Sequence, residues 1–229
     1  MKKLLYSLLI VISLFFITGC GKKIETDGEK FKKEYESLNG TTINNTRYEY
    51  PSVEIDGDNP VKYASYDEVL KLLTDGTGVI YLGYPNCPWC RNVVPVLLEA
   101  ANEVGIDEIL YINMKDERDE IKVKEDGTLE IVKEGSEGYK KLLTRLDPIL
   151  DEYILKDVHG NEVNTNEKRI FVPIVIFVRD GEIVAYHVDT VPSQTNPFEK
   201  LNEEQTYELL DIYVNYMHKA LGDVCDSSC

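Results

Sequence analysis

Apolar residues along this chain follow two periods, and the changes between them mark out the elements. Val79-Ile80-Tyr81-Leu82-Gly83-Tyr84 is a continuous β-prone run, bounded by Thr74-Asp75-Gly76-Thr77-Gly78 before it and Pro85-Asn86 after it. Such a run predicts a buried strand. Immediately downstream, Val93, Val94, Leu97, Leu98 and Ala101 recur at helical spacing and predict a helix over 90–104. Ahead of these, Lys62 to Ser65 predicts a short first strand and Tyr66 to Leu73 a helix with Val69, Leu70 and Leu73 facing inward. Glu108 to Met114 predicts the next strand. Leu201 to Leu221 predicts a final amphipathic helix built on Tyr207, Leu210, Ile212, Tyr213, Tyr216 and Met217.

The stretch between Cys90 and Pro173 carries two hairpin signals. Ile121-Lys122-Val123-Lys124 and Leu129-Glu130-Ile131-Val132 flank Glu125-Asp126-Gly127-Thr128, and Tyr153-Ile154-Leu155 precedes a turn at His159-Gly160-Asn161. Between them Glu137 to Leu146 has a helical pattern that ends near Asp147-Pro148. This stretch reads as an insert at 116–168, a helix and hairpin cap beside the site, and such inserts commonly shape what can dock.

The amino terminus has a different pattern. Lys2 and Lys3 open it, an apolar run from Leu4 to Ile17 follows, and Ile17-Thr18-Gly19-Cys20 closes it. The run is short for a membrane span and has the charged start and small-residue end of a secretory signal, with an uncleaved signal anchor as the alternative. Residues 1–19 are therefore expected to act as a signal peptide. Residues 21–45 are polar, with a short helix at Glu29 to Leu38, and read as a spacer that holds the domain off a bilayer.

Composition changes the picture in one respect. With 43% hydrophobic and 29% charged residues the chain of 229 has a globular balance and no repeat or biased tract, so one domain, at 46–221, is expected. The net charge of −16 repels phosphate backbones and anionic lipid headgroups. Nucleic acid is excluded as a partner, and a membrane attachment would have to be covalent.

There are five cysteines. With Cys20 set aside, Cys87 and Cys90 form one local pair and Cys225 and Cys229, in a tail at 222–229, form another. A bridge across so few residues restrains the unfolded chain weakly, which favours redox chemistry or metal binding over stapling. Cys87 falls where the strand gives way to the helix. There, unpaired N–H groups and the positive end of the helix dipole stabilise a thiolate, the attacking species in disulfide exchange. Cys87 is the expected nucleophile and Cys90, one turn on, the resolving thiol. Pro88 suits the first helical position. The tail pair has three open readings: an internal disulfide, a relay to Cys87 and Cys90, or two metal ligands.

A strand leading into Cys87-Pro88-Trp89-Cys90, a helix after it and Pro95 five residues beyond resemble the thioredoxin-like proteins. So does the run from Val172-Pro173 through Asp180-Gly181 to Val184, which looks like the family's cis-proline, strand, glycine turn and strand. The resemblance implies an α/β thioredoxin-like fold, with a central mixed sheet flanked by helices. It implies thiol-disulfide exchange without cofactor or metal, a cis-proline at Pro173 packed against the cysteines, and Pro88, Trp89 and Val172 in contact with substrate. Ile17-Thr18-Gly19-Cys20 resembles a lipobox, which implies lipidation of Cys20 and a place on the outer face of the cell membrane. Together these features resemble the thioredoxin-like lipoproteins of Gram-positive bacteria grouped with bacteriocin-transport accessory proteins. Expected partners are proteins carrying thiols or disulfides.

The chain departs from that pattern at Tyr81, where thioredoxins keep a buried carboxylate that assists the resolving thiol; Glu99 or Asp180 could serve in its place. Pro-Trp between the cysteines resembles glutaredoxins and some extracytoplasmic oxidases more than thioredoxin, which points to a less reducing protein. Two rival functions are a zinc- or copper-binding lipoprotein using both cysteine pairs, and a redox-inactive adaptor. His159, His187 and His218 are scattered and read as ordinary surface or strand residues.

Overall fold

A computed structural model describes residues 24–222; the expectations for the signal segment, Cys20, Cys225 and Cys229 fall outside them. In chain order the elements are α1 (Asp27–Glu36), β1 (Val61–Tyr63), α2 (Tyr66–Asp75), β2 (Gly78–Gly83), α3 (Pro88–Val104), β3 (Ile109–Asn113), β4 (Glu120–Val123), β5 (Leu129–Lys133), α4 (Glu137–Leu146), β6 (Glu152–Lys156), β7 (Glu162–Lys168), β8 (Ile174–Arg179), β9 (Glu182–Val188) and α5 (Glu203–Leu221). Five strands form a mixed sheet in the order β1-β3-β2-β8-β9. β1, β3 and β2 run parallel, while β8 and β9 pair antiparallel. The molecule is a mixed α/β protein with helices on both faces of that sheet.

The alternation of side chains along each strand separates two cores. Val79 and Tyr81 of β2, Ile109 and Tyr111 of β3, and Val175 and Phe177 of β8 point to the face covered by α1, α3 and α5. Ile80, Leu82, Leu110, Ile112, Ile174 and Ile176 point to the other face, under α2 and α4. A strand buried on both sides must be apolar throughout, which is why these runs show no polar alternation.

Helix ends are set by local chemistry. Thr26, Ser65 and Asn202 each close a capping box at the start of α1, α2 and α5. Each side-chain oxygen takes one otherwise unpaired N–H of the first turn. Ser65 is accordingly the cap of α2 and not the end of the first strand, as its polar side chain competes for backbone donors. Among the described residues no helix is long and apolar enough to cross a membrane.

Two expectations change. The stretch read as a spacer contains α1, whose Phe31 and Tyr35 are 0% exposed and belong to the sheet core. Four residues apart, they make a narrow stripe on an otherwise polar helix, enough to dock it. Their target is a row of tyrosines. Tyr63, Tyr111 and Tyr81 are register partners on β1, β3 and β2, with ring centroids 5.1 and 5.4 Å apart. Phe31 packs edge-on to Tyr111 at 5.0 Å. Replacing Phe31 by alanine should cost about 3–5 kcal/mol, the usual range for emptying a buried aromatic site. Urea unfolding checks this, since a spacer residue would cost almost nothing.

The insert is also more than a cap. Its helix α4 buries Tyr139, Leu142 and Leu146 in the second core, so it is a structural layer over the sheet. Gly138 makes the approach to α2 feasible, because a Cβ there would run into the ring of Tyr66. Arg145 of α4 then donates to the carbonyls of Leu73 and Gly181, at 2.7 and 3.1 Å. Only the hairpins β4-β5 and β6-β7 stand apart, as separate two-stranded sheets.

Candidate functional site

β2 delivers the chain to its cysteines through a turn in which the Cys87 N–H donates to the Tyr84 carbonyl at 3.2 Å. Cys87 is the N-cap of α3, in extended conformation, and Pro88 occupies the first helical turn. The Cys90 N–H donates to the Cys87 sulfur at 3.2 Å, so one unpaired donor of the helix start is directed at that sulfur. The two residues come within 2.8 Å of each other. Both are free and buried, Cys87 at 5% exposure and Cys90 at 0%.

The surroundings treat the two thiols differently. Burial pushes the Cys90 thiol well above the ordinary thiol range, and the adjacent Cys87 adds to this. Cys90 therefore holds its proton at neutral pH.

On the opposite side of Cys87 lies the segment leading into β8. The Val172–Pro173 peptide bond is cis, and the Cys87 thiol faces the Val172 carbonyl oxygen at 3.8 Å. Cys87, Cys90, Val172 and Pro173 are thus brought together from positions 85 residues apart, with Pro88 and Trp89 partly exposed beside them. An ion pair anchors the flanking loops. Arg169 donates to the Asp119 carboxylate at 2.8 Å and to the Asp119 carbonyl at 2.9 Å. Next to Asp119, Arg118 donates to the Tyr84 hydroxyl at 3.1 Å and lies over its ring. Burial raises that hydroxyl, and both cysteines contribute, which places Tyr84 in the same environment.

Neither acid named from the sequence reaches this place. Glu99 lies exposed further along α3, and Asp180 is exposed in the turn between β8 and β9. The helix turns Glu99 outward, and β8 carries Asp180 to its far end. At Tyr81 the chain carries a hydroxyl where the carboxylate was expected. Tyr81 and Tyr35, both 0% exposed, share a hydrogen bond of 2.8 Å between their hydroxyls. Gly83 makes room for it: the Tyr81 ring runs along β2 over Gly83, and a Cβ there would collide with the Tyr81 hydroxyl. Gly83→Ala should therefore lose about 1–3 kcal/mol through overpacking, read from urea unfolding; an unchanged midpoint would mean that the tyrosine moves freely.

Arg91 is the other residue that sequence reasoning passed over. Directly after Cys90, it is 1% exposed and has no acid partner among the described residues. Its guanidinium donates to the carbonyls of Pro51 at 2.6 Å, Tyr35 at 2.7 Å and Pro85 at 3.3 Å, and to the Asn39 side chain at 2.6 Å. Burial lowers its pKa from the ordinary arginine value. Asn39 in turn binds the Val53 backbone at both its N–H and its carbonyl. Arg91 is thus the knot that fastens the amino-terminal segment to the cysteine helix. Asn92 makes a similar tie, donating to the carbonyls of Pro88 and Pro197 and accepting from the Leu201 N–H.

His187 donates one hydrogen bond from its Nε2 to the Thr190 carbonyl, 2.7 Å away, while His159 sits in the exposed β6-β7 turn and His218 on α5. Comparison of the chain with protein-family models, with curated proteins and with solved structures finds no match.

Proposed function

We propose that this protein is a thiol-disulfide oxidoreductase of the thioredoxin-like type, tethered to the outer face of the cell membrane through a lipid on Cys20. The observation that carries the reading is the setting of Cys87. Its sulfur receives the Cys90 N–H at a helix start and faces the Val172 carbonyl across the site. The sheet order β1-β3-β2-β8-β9 and the cis bond at Pro173 support the fold assignment.

In the reducing direction the Cys87 thiolate attacks one sulfur of a substrate disulfide. A bond forms between Cys87 and that sulfur, the substrate bond breaks, and the other substrate sulfur leaves as thiolate. Cys90 then attacks Cys87. The Cys87–Cys90 disulfide forms, the second substrate sulfur leaves, and two electrons have passed to the substrate. Reversing the steps oxidises a dithiol. Helix N–H groups stabilise negative charge on Cys87 where the attack begins. The backbone of Val172, at the rim, offers an extended substrate segment a partner for its own N–H. Partly exposed Pro88 and Trp89 supply apolar contact to the same segment.

The test is direct. Reduced protein mixed with a protein disulfide should release two substrate thiols for each Cys87–Cys90 pair oxidised. Absence of exchange, with a stoichiometric metal retained after anaerobic purification, would replace this function with metal binding.

A further inference from the structure

A cation stands at the edge of the site without a counterion. Arg118 enters from the segment after β3. Its Nη2 donates to the Tyr84 hydroxyl at 3.1 Å, and its guanidinium lies 5.3 Å from the centre of the Tyr84 ring. Tyr84 belongs to the turn before Cys87, whose N–H its carbonyl accepts at 3.2 Å. On the other side the next residue, Asp119, is gripped by Arg169, three residues ahead of Val172. Arg118 is therefore held between the two loops whose ends, Cys87 and Val172, face each other at 3.8 Å.

The other arginines of this region are committed. Arg91 meets four acceptors, Arg145 two carbonyls, and Arg169 the carboxylate and the carbonyl of Asp119. Arg118 uses one of its five donors, on Tyr84. No carboxylate among the described residues pairs with it, and its enclosed Nε has no hydrogen-bond partner. The Tyr84 oxygen accepts from Arg118, which leaves the Tyr84 proton free to donate, and no acceptor for it lies among the described residues. A charged donor and a neutral one thus stand together, both partly exposed, beside the turn that carries Cys87. Such a pair suits a carboxylate, which accepts charge-assisted hydrogen bonds at two oxygens.

We infer that Arg118, with Tyr84 beside it, binds a carboxylate of the substrate, so that the site selects polypeptide segments carrying an acidic residue next to the cysteine that reacts. The inference rests on the exchange function proposed above. It concerns recognition alone: Arg118 takes no part in making or breaking bonds. The net charge of −16 repels acidic segments in general, so the contact singles out those whose acid falls at this place.

Peptide disulfides that differ only in glutamate or glutamine beside the cysteine test it on the full chain. Wild-type protein should reduce the glutamate peptide with kcat/KM about tenfold above the glutamine peptide, the worth of one charged hydrogen-bonded contact. The difference should lie in KM and shrink as salt is raised. Arg118→Gln should erase it by slowing the glutamate peptide alone, and Arg118→Glu should turn the preference towards a lysine peptide. Equal rates for both peptides in wild type, a ratio that survives Arg118→Gln, or an equal fall for both peptides in that variant overturns the inference. If Arg118→Gln does not fold, Arg118→Lys decides: a reduced ratio supports the contact and an unchanged one overturns it. A small uncharged disulfide separates recognition from chemistry. If wild-type protein does not reduce it, the exchange function fails, and recognition is read from binding of the same peptides with serine in place of cysteine, followed by the fluorescence of Trp89, the one tryptophan of the chain. Tighter binding of the glutamate form, by about tenfold, supports the contact, and equal binding overturns it.

Discussion

Replacing Cys87 by serine is expected to abolish disulfide exchange, while replacing Cys90 by serine leaves the first attack intact and halts the protein as a mixed disulfide. The asymmetry follows from position. Cys87 caps α3, receives the Cys90 N–H at 3.2 Å and lies at the rim against Val172, whereas Cys90 is enclosed behind it. A serine hydroxyl at neutral pH is neither ionised nor able to form a disulfide, so the loss in Cys87→Ser should reach at least about a thousandfold, as for other nucleophile deletions. In Cys90→Ser the covalent adduct has no internal thiol to release it. Non-reducing electrophoresis should show substrate attached at Cys87, and added small thiol should free it. Wild-type exchange in Cys87→Ser would end the assignment of the nucleophile. Adducts that form equally through Cys90 in Cys87→Ser would mean that the enclosure seen here opens readily.

The second large effect concerns stability. Arg91→Met preserves length and apolar volume but withdraws every donor from the carbonyls of Pro51, Tyr35 and Pro85 and from Asn39. Each buried acceptor left without a partner costs about 1–3 kcal/mol, and the terms overlap because the acceptors share one donor group. A loss of about 3–5 kcal/mol is expected, comparable with breaking a buried charged network. Arg91→Lys should recover only part of it, because one ammonium cannot reach acceptors on several sides as the planar fork does. Urea unfolding measures both variants. Limited proteolysis adds a spatial readout: residues 24–55, which include α1, should become cleavable before the sheet does. A loss below about 1 kcal/mol would show that water replaces the guanidinium without penalty, and that Arg91 is no knot.

Both effects meet at the junction of β2 and α3, but they were not equally legible along the chain. The cysteines announce themselves by spacing and by their place between an apolar run and a helical stripe. Arg91 carries no such signal. As the next residue after Cys90 it looks like one more charge on a helix, and only the segment folded over it turns it inward. Pro173 is intermediate: without family resemblance it is a proline before a strand, and its approach to Cys87 depends on a pairing between β2 and β8 that no local pattern specifies.

What the amino-acid sequence determines by itself is whatever rests on short-range rules. The core strands can be read from runs apolar on both faces, and α2, α3, α4 and α5 from helical periodicity. The candidate pair can be read from a helix that begins at a cysteine. Tertiary structure decides the rest. α1 reads as a polar spacer until Phe31 and Tyr35 find the tyrosine row on the sheet, and α4 reads as a cap until Tyr139, Leu142 and Leu146 complete a core. The Tyr35–Tyr81 hydroxyl pair joins residues 46 positions apart. The physical reason is the same in each case: period and capping are properties of a few neighbouring residues. Burial of a few side chains on a polar helix, or of one arginine among carbonyls, is favourable only once distant segments supply the partner.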